Sequence, residues 1–234
     1  MTTIPANLQA VTQRIAVACV AARRDPATVR LLAVSKTWPA GCLREAAAAG
    51  QQAFGESYVQ EALPKIAELV DQEIEWHFIG PLQSNKTRPV AENFAWVHSV
   101  ERLKIAERLA AQRPSPLPPL NVCVEVNVSG EASKSGCTPD EAPALCHAVA
   151  KLPNLKLRGL MAIPEPGSAN EEKSALARRH FAAVRALYDR LNGDGLELDT
   201  LSMGMSHDLE AAIMEGATIV RVGTAIFGER NYAT

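Results

Sequence analysis

A chain of 234 residues, 47% of them hydrophobic, can build one large domain or two small ones around a substantial core. Its 24 basic and 26 acidic residues leave a formal charge of -2, which offers no field to gather nucleic acid or anionic lipid. Cys19, Cys42, Cys123, Cys137 and Cys146 are scattered without a zinc spacing and read as reduced thiols. With no apolar run of about 20 residues and no signal-peptide core, the sequence predicts a soluble, cytoplasmic protein.

Leu8, Val11, Ile15, Cys19 and Ala22 recur at spacings of three and four, so an amphipathic helix precedes the first strand. The run from Arg23 to Pro26 ends it. Val29 to Ser35 is a short apolar run suited to a strand buried on both faces, and it stops at Lys36, with Pro39 at a plausible helix start. Gly41 to Ala49 reads as a helix closed by Gly50. Gln52 to Glu56 is the second strand. Ser57 and Gln60 suggest a capping box for a helix with the stripe Val59, Leu63, Ile66 and Val70, kinked or delayed by Pro64.

Glu75 to Gly80 is the third strand, followed by a polar loop and a helix reaching about Phe94. Ala95 to Val100 is the fourth, and Leu103, Ala106 and Leu109 line the helix after it. Asn121 to Val128 alternates as a fifth strand and leaves through a loop from Ser129 to Gly136. Thr138, Pro139 and Glu141 make a helix start. Leu155 to Ile163 is the sixth strand. A helix from about Glu171 to Leu191 carries Val184, Leu187, Tyr188 and Leu191 on one face. Thr200 to Gly204 is the seventh strand, Asp208 and Gly216 bracket a short helix, and Ile219 to Phe227 is the eighth strand.

Eight strands alternating with helices predict a (β/α)8 TIM barrel, one α/β domain over residues 1–234 with an extra helix before the first strand. That helix covers the gap where a last one is missing. An open doubly wound sheet is the competing architecture.

A barrel gathers its strand ends on one face. Lys36 lies there, and two readings stand: a side chain reaching solvent, or an amine made neutral enough by burial to hold an aldehyde as a Schiff base. The loops after strands seven and eight are the usual phosphate site of this fold. Gly204 and Gly223 allow close backbone approach, Ser206 and Thr224 offer hydroxyls, and a helix starting near His207 adds its dipole. A phosphate cradle facing such a lysine suggests pyridoxal 5′-phosphate. Arg221, two residues before Gly223, either points inward at the pyridine nitrogen or is an ordinary salt-bridged strand residue.

L-A-V-S-K-T at Leu32 to Thr37, F-G-E at Phe54 to Glu56, W-H-F-I-G-P-L-Q-S-N-K at Trp76 to Lys86 and S-K-S-G at Ser133 to Gly136 closely resemble segments of the pyridoxal phosphate homeostasis proteins. So do R-G-L-M-A-I-P at Arg158 to Pro164, S-M-G-M-S at Ser202 to Ser206 and R-V-G-T-A-I-F-G at Arg221 to Gly228. The resemblance spans roughly residues 29 to 230 in order. It implies a barrel like the N-terminal domain of alanine racemase, with pyridoxal phosphate on Lys36, Arg221 facing the pyridine nitrogen, and Ser206, Gly223 and Thr224 receiving the phosphate. The family usually has Asn where this chain has Ser57, and often a lysine where it has Trp38.

Lys134 reads better as a solvated loop lysine than as a second amine, and His77 either faces the barrel interior or is a satisfied core histidine. Glu56 and Glu125 suit pairing with basic groups. His98, His147, His180 and His207 show no metal-ligand spacing. Two functions are weighed: a carrier that stores, buffers or delivers pyridoxal phosphate, with pyridoxal phosphate-dependent apoenzymes as recipients, and an amino-acid racemase. Racemisation needs an acid-base group on each face of the carbanion. The sequence ends after strand eight without the all-β domain that supplies the second one in racemases; of Tyr58, Tyr188 and Tyr232, only Tyr58 is well placed. The expectation is therefore a carrier rather than an enzyme, and a monomer. A class I aldolase-like barrel holding a sugar phosphate ranks last.

Overall fold

The computed structural model describes residues 3–131, 134–164 and 171–229. Helix α1 (Ile4–Ala21) leads into β1 (Arg30–Val34), α2 (Ala40–Ala48), β2 (Ala53–Glu56), α3 (Val59–Glu68), β3 (Glu75–Phe78), α4 (Thr87–Asn93), β4 (Trp96–Val100) and α5 (Leu103–Gln112). The second half runs β5 (Leu120–Glu125), α6 (Ala142–Val149), β6 (Leu155–Met161), α7 (Glu171–Gly193), β7 (Thr200–Ser202), α8 (Leu209–Met214), β8 (Ile219–Val222) and α9 (Thr224–Phe227). The strands pair in parallel and in sequence order, and β8 returns to β1 with Leu32 opposite Arg221, so the sheet closes into a barrel. The open-sheet alternative is overturned by that pairing.

Alternation along short, doubly buried strands divides the side chains between two cores. Leu32, Ala53, Trp96, Cys123, Met161 and Ile219 meet inside the barrel. Their neighbours Ala33, Phe54, Val97, Val122, Leu160 and Val220 join the helices in the outer core. Among the described residues no helix is long and apolar enough to cross a membrane.

Helix α1 does cover the gap left beside the four-residue α9: it packs on both α8 and α9, and the Asn7 side-chain amide donates to the Ile226 carbonyl at 2.8 Å. Thr138 and Glu141 make the reciprocal side-chain to backbone bonds of a capping box just ahead of α6.

Four local expectations need correction. The N-cap of α3 is Tyr58, without a side-chain cap bond; Ser57 is drawn into the barrel mouth instead. Pro64 lies inside α3 and does not delay its start. Val70 falls beyond α3 and is 84% exposed, while Leu69 beside it is buried. The eighth strand ends at Val222, because Gly223 turns the chain into α9.

Candidate functional site

Lys36 stands just past β1, half-buried, between two residues held from outside. The Ser35 hydroxyl donates to the Glu56 carboxylate at 2.7 Å. The Lys65 ammonium, from α3, donates to Glu56 at 2.8 Å and to the Ser35 carbonyl at 3.0 Å. Burial pushes the Glu56 carboxyl up, and Lys65 and the Ser35 hydroxyl pull it back. On the other side, Thr37 has φ 70°, a left-handed conformation that costs a β-branched residue about 1–3 kcal/mol. Its N–H donates to the Glu61 carboxylate at 3.0 Å.

The loop after β7 faces Lys36 across the mouth. Gly204 has φ 93°, and a Cβ there would lie 2.6 Å from the Ala212 side chain, so only glycine lets the chain pass over α8. The Gly204 carbonyl accepts from the Arg221 N–H at 2.9 Å. The Ser206 carbonyl accepts from Arg14 of α1 at 3.1 Å. The helix expected near His207 begins at Leu209, because the Asp208 carboxylate turns back to accept from the Met205 N–H at 2.6 Å.

Arg221 is 4% exposed. Its Nη1 donates to the Ser202 hydroxyl at 2.8 Å and also to the Ser202 carbonyl, and Nη2 donates to the Ala162 carbonyl at 3.0 Å. Burial lowers the guanidinium to about 10, with Asp208 and Glu125 opposing. Burial likewise raises Glu125 to about 7, against the pull of Arg221.

The structure brings Lys36, Ser206, Arg221, Gly223 and Thr224 together around one cavity of about 280 Å³ at the C-terminal end of the strands. Ser57 and His207 complete its polar lining, and Val34, Ile79, Ile163 and Met205 its apolar lining. It therefore offers a lysine and an arginine, three hydroxyls, a glycine backbone and aliphatic walls, with no carboxylate among the described lining residues. That donor set fits a small anionic ligand with a flat apolar ring and a group reactive toward an amine.

The remaining candidates lie elsewhere. Lys134 pairs with Glu131 in the loop after β5, with its side chain 22% exposed. His77 faces the barrel interior below the cavity and is bonded at both ring nitrogens. Tyr58 is 49% exposed, and the Tyr188 hydroxyl donates to the Leu198 carbonyl. Tyr232 and Ser133 lie outside the described residues. Trp38 stacks on Phe227, ring centroids 5.8 Å apart. Sequence reasoning marked Ser57 only as a departure from the family and missed Ile79 and Ile163 as lining; stepping two residues beyond Gly55, His77 and Met161 on the inward face would have found all three.

Residues 6–231 match the alanine racemase N-terminal domain family. The pyridoxal phosphate homeostasis protein of Pseudomonas aeruginosa is 65% identical over 232 residues, covering 99% of this chain and 98% of that protein. The protein of the same description from Escherichia coli K12 is 52% identical over 236 residues, covering 100% and 99%. Among solved structures, PipY of Synechococcus elongatus PCC7942 with PLP bound is 39% identical, with a TM-score of 0.79 over 92% of this chain and 100% of that one.

Proposed function

Since the chain belongs to the pyridoxal phosphate homeostasis protein family, we propose that it binds pyridoxal 5′-phosphate and stores, buffers or delivers it inside the cell. In this reading the protein is a monomer with no dedicated reaction, and pyridoxal phosphate-dependent apoenzymes are the recipients. One observation carries it: the amine of Lys36, the guanidinium of Arg221 and the hydroxyls of Ser206 and Thr224 share one cavity with Gly223, with no carboxylate among its described lining residues.

When bound, the cofactor supplies an aldehyde and an electron-accepting ring. Lys36 would hold the cofactor through the reaction of its amine with that aldehyde. Ser206, Gly223 and Thr224 take the phosphate at the β7 and β8 ends, where barrels of this type bind phosphate. Arg221 faces the ring nitrogen. An arginine donates there but cannot accept a proton, so the nitrogen stays unprotonated and the ring remains a weak electron sink.

A racemase needs more than the Lys36 amine. Racemisation also requires an acid-base group opposite Lys36, and no tyrosine is among the described residues lining the cavity. A sugar phosphate would leave Arg221 without a ring nitrogen to face.

The test is an absorption spectrum of the protein with added pyridoxal phosphate, then borohydride reduction and mapping of the labelled peptide, alongside Lys36→Ala. A band abolished by reduction, with the label on Lys36, is expected. A protein that takes up no label sinks the reading. Deuterium exchange at the α-carbon of alanine at enzymatic rates would make it an enzyme instead.

A further inference from the structure

We propose that Glu75, His77, His98 and Ser202 form a one-way hydrogen-bond relay through the barrel interior that positions the Arg221 guanidinium at the cavity. The inference rests on the reading above only in taking Arg221 to face the ligand's ring nitrogen.

The relay joins four strands. Glu75 Oε1 lies 2.7 Å from His77 Nε2, His77 Nδ1 lies 2.8 Å from His98 Nε2, and His98 Nδ1 lies 2.8 Å from the Ser202 hydroxyl. That hydroxyl is 2.8 Å from Arg221 Nη1. His77, His98 and Ser202 are 0% exposed, so water does not compete for these bonds. Charged groups stand at both ends of the relay. Arg30 pairs with Glu75 at one mouth; Arg221, with Glu125 and Asp208 near it, stands at the other. Between them, Trp96 stacks on His77 at 5.3 Å and 6° and carries Arg158 over its ring at 4.7 Å.

Both ends fix the direction of every hydrogen. The Glu75 carboxylate only accepts, so His77 Nε2 bears the proton and, in a neutral ring, Nδ1 accepts. His98 Nε2 must then donate to His77, and His98 Nδ1 must accept. From the other end, Arg221 only donates. The Ser202 oxygen accepts from it, and the Ser202 O–H is turned toward His98 Nδ1. The two derivations meet without conflict, with both imidazoles neutral and protonated at Nε2. A reversed order would aim two donors at the Ser202 oxygen and leave its own hydrogen without the His98 acceptor.

The consequence reaches the cavity through Arg221. Its three bonds to Ser202 and Ala162 use both Nη1 hydrogens and one on Nη2. The Nε–H and the second Nη2–H are the donors left for a ligand among the described contacts. Glu75, His77, His98 and Ser202 touch no ligand; they are positioning residues.

The test begins without ligand. Long-range proton–nitrogen correlation spectra of ¹⁵N-labelled apoprotein at neutral pH are expected to show both His77 and His98 as Nε2–H tautomers. A protonated Nδ1 in either ring overturns the relay. Adding pyridoxal phosphate to Ser202→Ala is then expected to show about tenfold weaker binding, the loss typical of a hydrogen bond to a charged group, and a shifted absorption band. Glu75→Ala should mix the His77 tautomers and shift the band, whereas Glu75→Gln, whose amide oxygen still accepts, should behave as wild type. Glu75 lies at the half-exposed end of the relay, so its variants carry the readout if Ser202→Ala does not fold. Folded variants that bind with wild-type affinity and an unshifted band overturn the positioning role. Ordered tautomers in a wild type that takes up no pyridoxal phosphate support the relay's hydrogen order and sink the proposed function instead.

Discussion

The Lys65 ammonium donates to the carbonyl of Ser35, the residue before Lys36, at 3.0 Å, and to Glu56 at 2.8 Å. Helix α3 thus grips the end of β1 from outside the barrel. The Lys65 and Glu56 side chains are 10% and 0% exposed, and Glu56 Oε2 is buried without a partner. Breaking a buried pair leaves the other charge uncompensated, so Lys65→Met should cost about 3–5 kcal/mol in urea unfolding, and Glu56→Gln added to it should recover most of that. Burial raises the Glu56 pKa even against the pull of Lys65 and the Ser35 hydroxyl. In Lys65→Met the folded state therefore keeps its proton above the usual carboxylate range, and stability should fall from pH 5 to pH 8. A variant equally stable at both would show that Glu56 is not left charged and unpaired.

Thr37 supplies strain at the other side of Lys36. Glycine accepts φ 70° without penalty, while its unfolded chain gains freedom worth up to about 1 kcal/mol. Thr37→Gly should therefore melt at the same temperature or a few degrees higher, and bind pyridoxal phosphate severalfold more weakly because Lys36 is less well aimed. A drop in melting temperature with unchanged binding would contradict both halves.

Most of the barrel was legible because its signals are local. Short apolar strands ending in Lys36 or in S-M-G-M-S mark strand ends, and eight of them imply closure. What failed was local too, but ambiguous. S-Y-V-Q at Ser57 to Gln60 satisfies the capping pattern, and it competes there with the strand alternation that carries Ser57 inward two residues beyond Gly55. The apolar Ala225, Ile226 and Phe227 continue a strand pattern as well as they fill one helical turn. The interior relay left no local sign at all, since His98 and Ser202 are 104 residues apart and meet only when the sheet closes.

Arg14 shows the same long reach from α1. It bonds the Ser206 carbonyl at 3.1 Å and pairs with Glu210 at 2.8 Å, its side chain 39% exposed. Exposed pairs of this kind contribute about 0–1 kcal/mol, so Arg14→Ala should unfold almost as the wild type does. The loop that carries Ser206 would lose its tie to α1, and pyridoxal phosphate affinity should fall about fivefold, as measured by spectroscopic titration. Equal affinity would show that the loop holds its shape without α1.

The buried imidazoles set the acid response of the fold. Burial lowers the pKa of His77, despite the Glu75 bond, and lowers that of His98 further, aided by the charges of His77, Arg221 and Arg30. Below about pH 6.5 the unfolded chain binds protons that the folded barrel refuses, so stability falls as pH falls, by about 1.4 kcal/mol per unit for each ring. Glu125, raised to about 7, works the other way: between its unfolded value and 7 the folded state holds the extra proton, and stability rises as pH falls. Glu75, held down to about 2 by His77 and Arg30 against its own desolvation, keeps its contribution until far lower pH. The net slope between pH 6.5 and 5 should thus be positive with pH and smaller than two histidines alone would give. Glu125→Gln should steepen it and His98→Gln should flatten it in urea unfolding across that range. An unchanged slope in His98→Gln would mean that His98 takes its proton in the folded barrel, which the Arg221 end of the relay does not allow.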